Sequence, residues 1–353
     1  MKLSLNMKLF LLALVPLIGL LYFAGSKLYD EYNYKYTLEK IKNGMEFNQR
    51  ISSLIEEIQK ERLLSLKFVL DKKEFDENLI VQRKKVDRAI EELEKFANNV
   101  NLEIFPREIF PKIDASLSLL SQLTEQRKYI DNLNISTDML IDYYSDINSN
   151  LLDLLSLTVK NSYHDSKLSS LLYSYTLFMP INETVDLKSV VLLESMNRGG
   201  IKYSTLVKLI QTIAAQKVLN KEFLNTLPEE IKNKIDPFFK KFGKNDEERI
   251  KILSLNKNPE EVLRDIDINE WYDSVSKRNK KIKSLQKEFI DKIYGEIQKS
   301  SSKSLYGVIV AAVVILLTLI LFISVMFHLP EFKFQLDYFK SRMRRRFRSW
   351  SEY

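Results

Sequence analysis

The sequence predicts an all-α protein in which two transmembrane helices flank an elongated extracytoplasmic module of stacked antiparallel four-helix bundles. Three observations favour this fold class. Glycine and proline are scarce, at 8 residues each among 353. Apolar residues recur at helical spacing through the centre of the chain, and a long apolar run lies near each end. Few helix breakers and a helical period argue against an architecture of strands and turns.

The clearest membrane signal is the uncharged run LYGVIVAAVVILLTLILFISVMF at residues 305–327. About 20 apolar residues cross the hydrocarbon layer of a bilayer as a helix. A soluble core helix rarely runs this long without a charge. We therefore predict a transmembrane helix over residues 304–327.

The first apolar run, LFLLALVPLIGLLYFA, follows Lys2 and Lys8. A cleaved signal peptide is the alternative to a membrane span here. Cleavage after Ala24 would place the bulky Tyr22 where signal peptidase requires a small side chain. We therefore expect an uncleaved signal anchor, with a short cytoplasmic N-terminus at 1–8 and transmembrane helix 1 at 9–25.

The charges that flank the spans predict the topology. The tail at 328–353 carries six basic residues close together, which are Lys340, Arg342, Arg344, Arg345, Arg346 and Arg348. Positive charge next to a span stays in the cytoplasm. Both termini are then cytoplasmic, and residues 26–303 lie outside a bacterial inner membrane. The tail pattern suits a basic amphipathic helix on the anionic leaflet, or a disordered tail that only fixes topology. Nucleic acid is not an expected partner.

Helical periodicity fills the module between the spans. Its first stripe comprises Ile51, Leu54, Ile55, Ile58, Leu66 and Val69, and a later stripe, Val275, Ile282, Leu285, Phe289, Ile293 and Ile297, leads into the second span. Prolines such as Pro111, Pro180 and Pro228 mark expected helix breaks. Many helices with apolar stripes and short connections favour antiparallel bundles.

The residues that catalysis would need are largely missing. The chain has no cysteine, which excludes disulfides, thiolate metal sites and cysteine nucleophiles. Its two histidines, His164 and His328, belong to no Ser-His-Asp arrangement or metal-ligand cluster. We therefore predict that the protein is not an enzyme and uses neither a cofactor nor a metal.

Two arginines interrupt apolar helix faces. Arg62 follows Ile58 and precedes Leu66 on the first stripe, and no residue three or four positions away from it is acidic. A buried arginine must find an anion on another helix or in solution. Arg198 belongs to a cluster with Glu194 and Asn197, where an ordinary intrahelical ion pair between residues four apart is the alternative.

Five segments together resemble the nitrate- and nitrite-sensing (NIT) domain of bacterial receptors and regulators. They are QKERLLS at 59–65, QRKKVDRAIEEL at 82–93, YYSDINSNLLDLL at 143–155, LLESMNRGG at 192–200 and WYDSVSKRNKKIKSL at 271–285. The resemblance covers about residues 48–297. It implies paired four-helix bundles that bind a small oxyanion between helices.

The resemblance also implies ligand residues. The family's Gln-x-Glu-Arg-Gly motif matches this chain at Arg62, and its Glu-Arg-Ala motif matches at Arg198. Ser65, Glu194 and Asn197 are secondary candidates. A planar guanidinium matches the flat, trigonal nitrate ion. Leu63 replaces the small residue of the first motif and Asn197 replaces the glutamate of the second, so a different small anion as ligand and a degenerate site are the alternatives.

Two functions follow as hypotheses. In the first, the protein binds nitrate, nitrite or a similar anion, acts as a homodimer and signals across the bilayer. Because only 26 residues follow Phe327, we expect a separate protein to supply the output. In the second, the protein is a structural or interaction protein with a helical stalk and no small ligand.

Overall fold

The structure is a computed structural model. It describes residues 5–71, 77–99, 105–158, 166–198, 200–237, 239 and 268–350. The side chains of the basic tail beyond Tyr338 lie outside the described part of the chain, and so does Gly199.

Eight long helices make up the described residues. They are α1 (Leu5–Asp71), α2 (Glu77–Asn99), α3 (Ile109–Ser121), α4 (Leu123–Asp131), α5 (Thr137–Thr158), α6 (Ser166–Arg198), α7 (Tyr203–Thr226) and α8 (Ile268–Trp350). A further helical stretch covers 229–237. These residues include no strand, so the prediction of an all-α fold is confirmed. The stacking of four-helix bundles stays a prediction.

Proline ends helices less often than the sequence suggested. Pro180 lies inside α6, which continues to Arg198. Its ring removes the backbone bond to the carbonyl four residues earlier. The flanking side chains Phe178, Met179 and Ile181 are all buried, and their packing holds the helix together across the missing bond. Pro111 lies in the first turn of α3, where a missing N–H costs nothing.

The chain divides into two compact units. The first unit comprises Met1–Leu38 and Gln298–Tyr353, and the second comprises Glu39–Ile297. In the first unit, the Ser304 hydroxyl donates a hydrogen bond to the Glu31 carbonyl oxygen at 3.1 Å. The Glu31 carboxylate pairs with Lys27 at 2.6 Å, and its Oε1 atom would lie 2.6 Å from a Cβ added at Gly307. The start of α1 and the end of α8 therefore pack together.

Apolar side chains of the first unit point outward. Helix α8, considered over Val275–Val325, contains a segment long and apolar enough to cross a membrane, and it is the one such helix among the described residues. Leu316 and Ile320 are more than half exposed there. On α1, Leu12, Val15 and Tyr22 are more than half exposed, but the predicted first span is not confirmed and stays a prediction.

The second unit is built around residues 39–71 of α1. The predicted stripe from Ile51 to Leu66 is buried, and five of its six residues, Ile51, Leu54, Ile55, Ile58 and Leu66, are 0% exposed. One side of α1 contacts α2, α4 and α5 through Glu57 and Glu61. The other side contacts α6 and α8 through Ser52, Arg62 and Glu56. This central position of α1 brings charged residues of several helices together.

Candidate functional site

Arg62 lies in the core of the second unit and is completely buried. Its Nη1 donates to the Oε1 atom of Glu183 at 2.7 Å and to the Ser145 hydroxyl at 2.8 Å. Its Nη2 donates to the Oδ2 atom of Asp186 at 2.7 Å. The Nε atom finds no hydrogen-bond partner among the described residues. The sequence predicts that a buried Arg62 needs an anionic partner. In the structure its partners are two carboxylates of α6.

Glu183 is the most constrained of these carboxylates. Its second oxygen, Oε2, accepts hydrogen bonds from the side-chain amides of Gln59 at 2.7 Å and Asn148 at 2.9 Å. Burial raises the pKa of Glu183, and the Asp186 carboxylate adds to the increase while Arg62 opposes it. Burial acts to lower the pKa of Arg62, but Glu183 and Asp186 together raise it above its ordinary value. The guanidinium is therefore always charged.

A second arginine, Arg278 of α8, approaches the same part of α6. It is 9% exposed, and its Nη2 donates to the Ser189 hydroxyl and to the Val185 carbonyl oxygen at 3.4 Å. Arg62 contacts positions 183 and 186, and Arg278 contacts 185 and 189, so both guanidinium groups lie against two adjacent turns of α6. Two helices thus bring arginines to adjacent turns of α6.

Arg278 is not among the residues predicted from the sequence, although a signal for it exists. Val275, Ile282 and Leu285 form the apolar stripe of α8, and Arg278 falls within that stripe at the same three- and four-residue spacing. The argument that identified Arg62 as an interruption of an apolar face applies equally here. No comparable interruption of an apolar stripe marks the acidic partners Glu183 and Asp186 in the sequence.

A cavity of about 440 Å³ opens between α1, α6 and α8; it is lined by Asp186, the partner of Arg62, but neither Arg62 nor Arg278 is among its lining residues. Its wall includes Gln59, Leu63, Asp186, Asn279, Lys280 and Lys283. Leu63, which replaces the small residue of the family's first motif, therefore lines this cavity. The mixture of amide, ammonium and apolar groups suits a small polar solute.

The other predicted arginine lies elsewhere. Arg198 is the last residue of α6, 12 residues beyond Asp186, which corresponds to roughly 18 Å along a helix axis. Its side chain is 37% exposed and pairs with Glu194 at 2.9 Å, and its Nη2 also donates to the Thr137 hydroxyl at 2.6 Å. The structure therefore does not bring Arg62 and Arg198 together, and their joint ligand role stays a prediction.

The secondary candidates are equally dispersed. Glu194 is 2% exposed and accepts a hydrogen bond from Thr137 at 2.6 Å, so it belongs with Arg198. Asn197 is exposed. Ser65 is buried, and its hydroxyl lies 3.4 Å from the hydroxyl of Tyr144.

Ser65 borders a separate buried cluster around Glu61, the residue before Arg62. Both oxygens of Glu61 accept hydrogen bonds from Arg127 at 2.8 Å, and Oε1 also accepts one from Tyr144 at 2.8 Å. Burial and the Glu61 charge raise the pKa of Tyr144 well above its ordinary value. Glu61 and Arg62 are adjacent on α1 but belong to two separate charge clusters. The Glu61 cluster holds α1 against α4 and α5.

Comparison with known proteins identifies the class of domain. The family model described as nitrate and nitrite sensing (NIT) matches residues 53–294. The chain therefore belongs to the NIT family, and the resemblance seen in the five sequence segments is confirmed. The match includes both Arg62 and Arg278.

A solved structure shares the fold. It is the NasR transcription antiterminator, which is 15% identical to this chain with a TM-score of 0.63. The alignment covers 90% of this chain and 85% of that one. At this identity the likeness is evidence for the fold alone. No curated protein matches the sequence.

Proposed function

We propose that this protein is a membrane-bound sensor that binds nitrate or nitrite between α1, α6 and α8 and signals across the bilayer. For a chain of the NIT family, one observation supports this proposal. Arg62 and Arg278, on different helices, reach two adjacent turns of α6, and Asp186, the partner of Arg62, lines a cavity between α1, α6 and α8. A guanidinium presents a flat fork of donors, and two forks can satisfy the three oxygens of nitrate.

The proposal assigns the existing ion pairs a role in the response. An anion that reaches Arg62 competes with the Glu183 and Asp186 carboxylates for its N–H groups. The ligand then favours a helix arrangement in which α6 is held less tightly to α1. A ligand shifts a conformational equilibrium only through such a difference in affinity between two arrangements.

Signalling in this proposal uses the two longest helices. Each carries a site residue and continues as one helix into an apolar segment, α1 from Leu5 and α8 to Trp350. A displacement of α8 relative to α1 at the site is therefore passed along unbroken backbone. We propose a two-pass topology in a bacterial inner membrane, with the basic tail on the inner leaflet and a separate output protein.

The proposed sensor acts as a homodimer. An outward-facing stripe on α1 repeats at spacings of three, four and seven residues, which is the pattern of a helix pair. Its exposed members are Val15, Ile18, Tyr22, Tyr29 and Tyr32. We expect cysteine at Tyr32 to cross-link two copies in membranes, and cysteine at the exposed Asp30, off the stripe, to cross-link far less. Equal cross-linking at both positions would contradict a dimer through this face.

One observation favours the second candidate, a structural membrane protein with no small ligand. Arg62 is already neutralised by two carboxylates and hydrogen-bonded to Ser145. A buried arginine with such partners can serve packing specificity alone. Ligand titration decides between the two candidates.

The deciding experiment is calorimetric titration of the full-length protein in lipid nanodiscs with nitrate and nitrite. Arg62→Lys, Arg278→Lys and Arg198→Lys keep the positive charge but remove the planar fork, and Arg88→Lys on the exposed face of α2 is the matched control. We expect saturable binding that weakens at least about tenfold in the first two variants, because hydrogen bonds to charged groups contribute about 1.5–3 kcal/mol.

The outcomes separate the hypotheses. Binding that Arg198→Lys abolishes and Arg278→Lys leaves unchanged would support the ligand pair predicted from the sequence. A folded protein that binds neither anion would support the structural candidate.

A further inference from the structure

The cavity between α1, α6 and α8 has a buried polar wall of its own. Arg62, Glu183 and Arg278 do not line it, and neither does the buried Lys188 of α6. Four of its lining side chains are polar and less than one-tenth exposed, which are Gln59 at 7%, Asn182 at 8%, Asp186 at 3% and Gln286 at 5%. Buried polar groups in proteins normally have hydrogen-bond partners. The atoms of this wall that lack one therefore indicate the chemistry of a ligand.

The unpartnered atoms of this wall are hydrogen-bond acceptors. The Oε1 atom of Gln286 is buried and has no hydrogen-bond partner among the described residues. Asp186 accepts from Arg62 at Oδ2, and no described residue donates to its Oδ1 atom. Gln59 donates from its amide nitrogen to Glu183 at 2.7 Å, which leaves its Oε1 atom as an acceptor. A wall of carboxylate and amide oxygens favours a ligand that carries donors, and nitrate offers only further acceptors.

The open edge of the cavity has the opposite charge. Three exposed lysines line it, Lys60, Lys280 and Lys283. Lys60 pairs with Glu57 at 2.5 Å and Lys283 with Glu56 at 2.8 Å. Lys280 has no carboxylate partner in the described part of the chain, so its ammonium group is available to an anionic group of a ligand.

An apolar surface completes the lining. Val275 and Ile282 of α8 are buried, and Leu63 of α1 is half-buried. These side chains suit an aliphatic group, because apolar surface removed from water stabilises the complex. The cavity thus combines buried acceptors, an apolar surface and a positive edge.

We propose that this cavity binds a small zwitterion, an α-amino acid with an aliphatic side chain. Its ammonium group donates to Asp186 and Gln286, and its carboxylate faces Lys280. An ammonium group carries three donors and no acceptor, which suits the buried wall, and its hydrogen bond to a carboxylate is charge-assisted. The inference goes beyond the proposed function, since it concerns a second ligand that binds without nitrate.

The first test uses the unaltered full-length protein in nanodiscs, in buffer free of nitrate. Thermal unfolding is measured with L-alanine, L-valine, L-leucine and L-isoleucine, because a ligand that binds the folded state raises the melting temperature. The most stabilising amino acid is then titrated calorimetrically beside the matching amine and the matching acid, which for leucine are isopentylamine and isocaproate. We expect saturable binding of the amino acid and none of the acid. The amine should bind about two- to fivefold more weakly, because an exposed ion pair contributes little.

Variants of the lining residues locate the ligand. Gln286→Met removes the acceptor at similar side-chain length, and Lys280→Gln removes the charge at the edge. Lys281→Gln is the matched control for the latter, since Lys281 is exposed and does not line the cavity. We expect the affinity for the amino acid to fall at least about tenfold in Gln286→Met and about two- to fivefold in Lys280→Gln. It should stay unchanged in Lys281→Gln.

Each outcome bears on the proposal. Binding that follows the expected order of ligands and variants supports it. Isocaproate that binds as tightly as leucine overturns the assignment of an ammonium group to the buried wall. Equal affinities for leucine and isopentylamine overturn the zwitterion and the role of Lys280. Absence of stabilisation by all four amino acids overturns the proposal and leaves a cavity filled by water. Because no nitrate is present, none of these results depends on whether the proposed nitrate sensing is correct.

Discussion

Replacing Arg62 with alanine removes the only positive charge that contacts both Glu183 and Asp186 in the described part of the chain. Three side-chain hydrogen bonds are lost with it, each between 2.7 and 2.8 Å. Two buried carboxylates are left facing each other. Breaking a buried ion pair by removing one partner costs about 3–5 kcal/mol. For domains of this size, 1 kcal/mol shifts the melting temperature by about 2–4 °C, so we expect a decrease of about 6–20 °C.

The loss of stability should depend on pH. Without Arg62, its charge no longer opposes burial and the Asp186 charge, which raise the pKa of Glu183 in the folded state above its value in the unfolded chain. The folded state then binds more protons than the unfolded state, so stability falls as pH rises through the raised pKa. The difference between Arg62→Ala and the unaltered protein is therefore largest near neutral pH and shrinks towards pH 5.

The assay is thermal unfolding followed by circular dichroism of the full-length protein in nanodiscs, at one scan rate. Arg88→Ala, on the exposed face of α2, is the matched control and should leave the melting temperature unchanged. In the triple variant Arg62→Met, Glu183→Gln, Asp186→Asn, we expect most of the stability to return, because no buried charge remains unpaired. An Arg62→Ala protein as stable as the control at neutral pH would refute the reasoning.

Three further predictions test other parts of the structure. Glu61→Ala should lower the melting temperature, because Arg127 loses both of its hydrogen bonds to Glu61 at 2.8 Å and keeps the more exposed Asp87 as a partner. The folded protein should still bind nitrate; loss of binding would show that the two clusters are coupled. Gly44→Leu should destabilise the second unit by about 1–3 kcal/mol in chemical denaturation, because even a Cβ there would lie 3.2 Å from the backbone oxygen of Thr158. Since the chain has no cysteine, single introduced cysteines report the membrane topology. An impermeant maleimide should label Ser149→Cys on intact cells and Ser351→Cys only after the membrane is opened. The reverse labelling pattern would exclude the proposed orientation.

Helical periodicity in the sequence was enough to predict the class of fold. Spacing along a helix is a local property of the chain, so the sequence alone predicts that Ile51, Ile58 and Leu66 share one buried face. All three are buried. The same local reasoning failed at Pro180. There the packing of neighbouring side chains, which depends on other helices, keeps α6 continuous.

The sequence by itself also determined that Arg62 needs an anion. A charge on an apolar face is visible from its neighbours three and four positions away, and its burial has a known cost. The tertiary structure alone shows which groups contact it. Glu183 and Asp186 are more than 100 residues away along the chain, and Arg198, a motif match, lies too far along α6 to reach Arg62. Which charges meet depends on how α1, α6 and α8 cross, and helix crossings follow from the packing of whole side-chain surfaces rather than from any short segment.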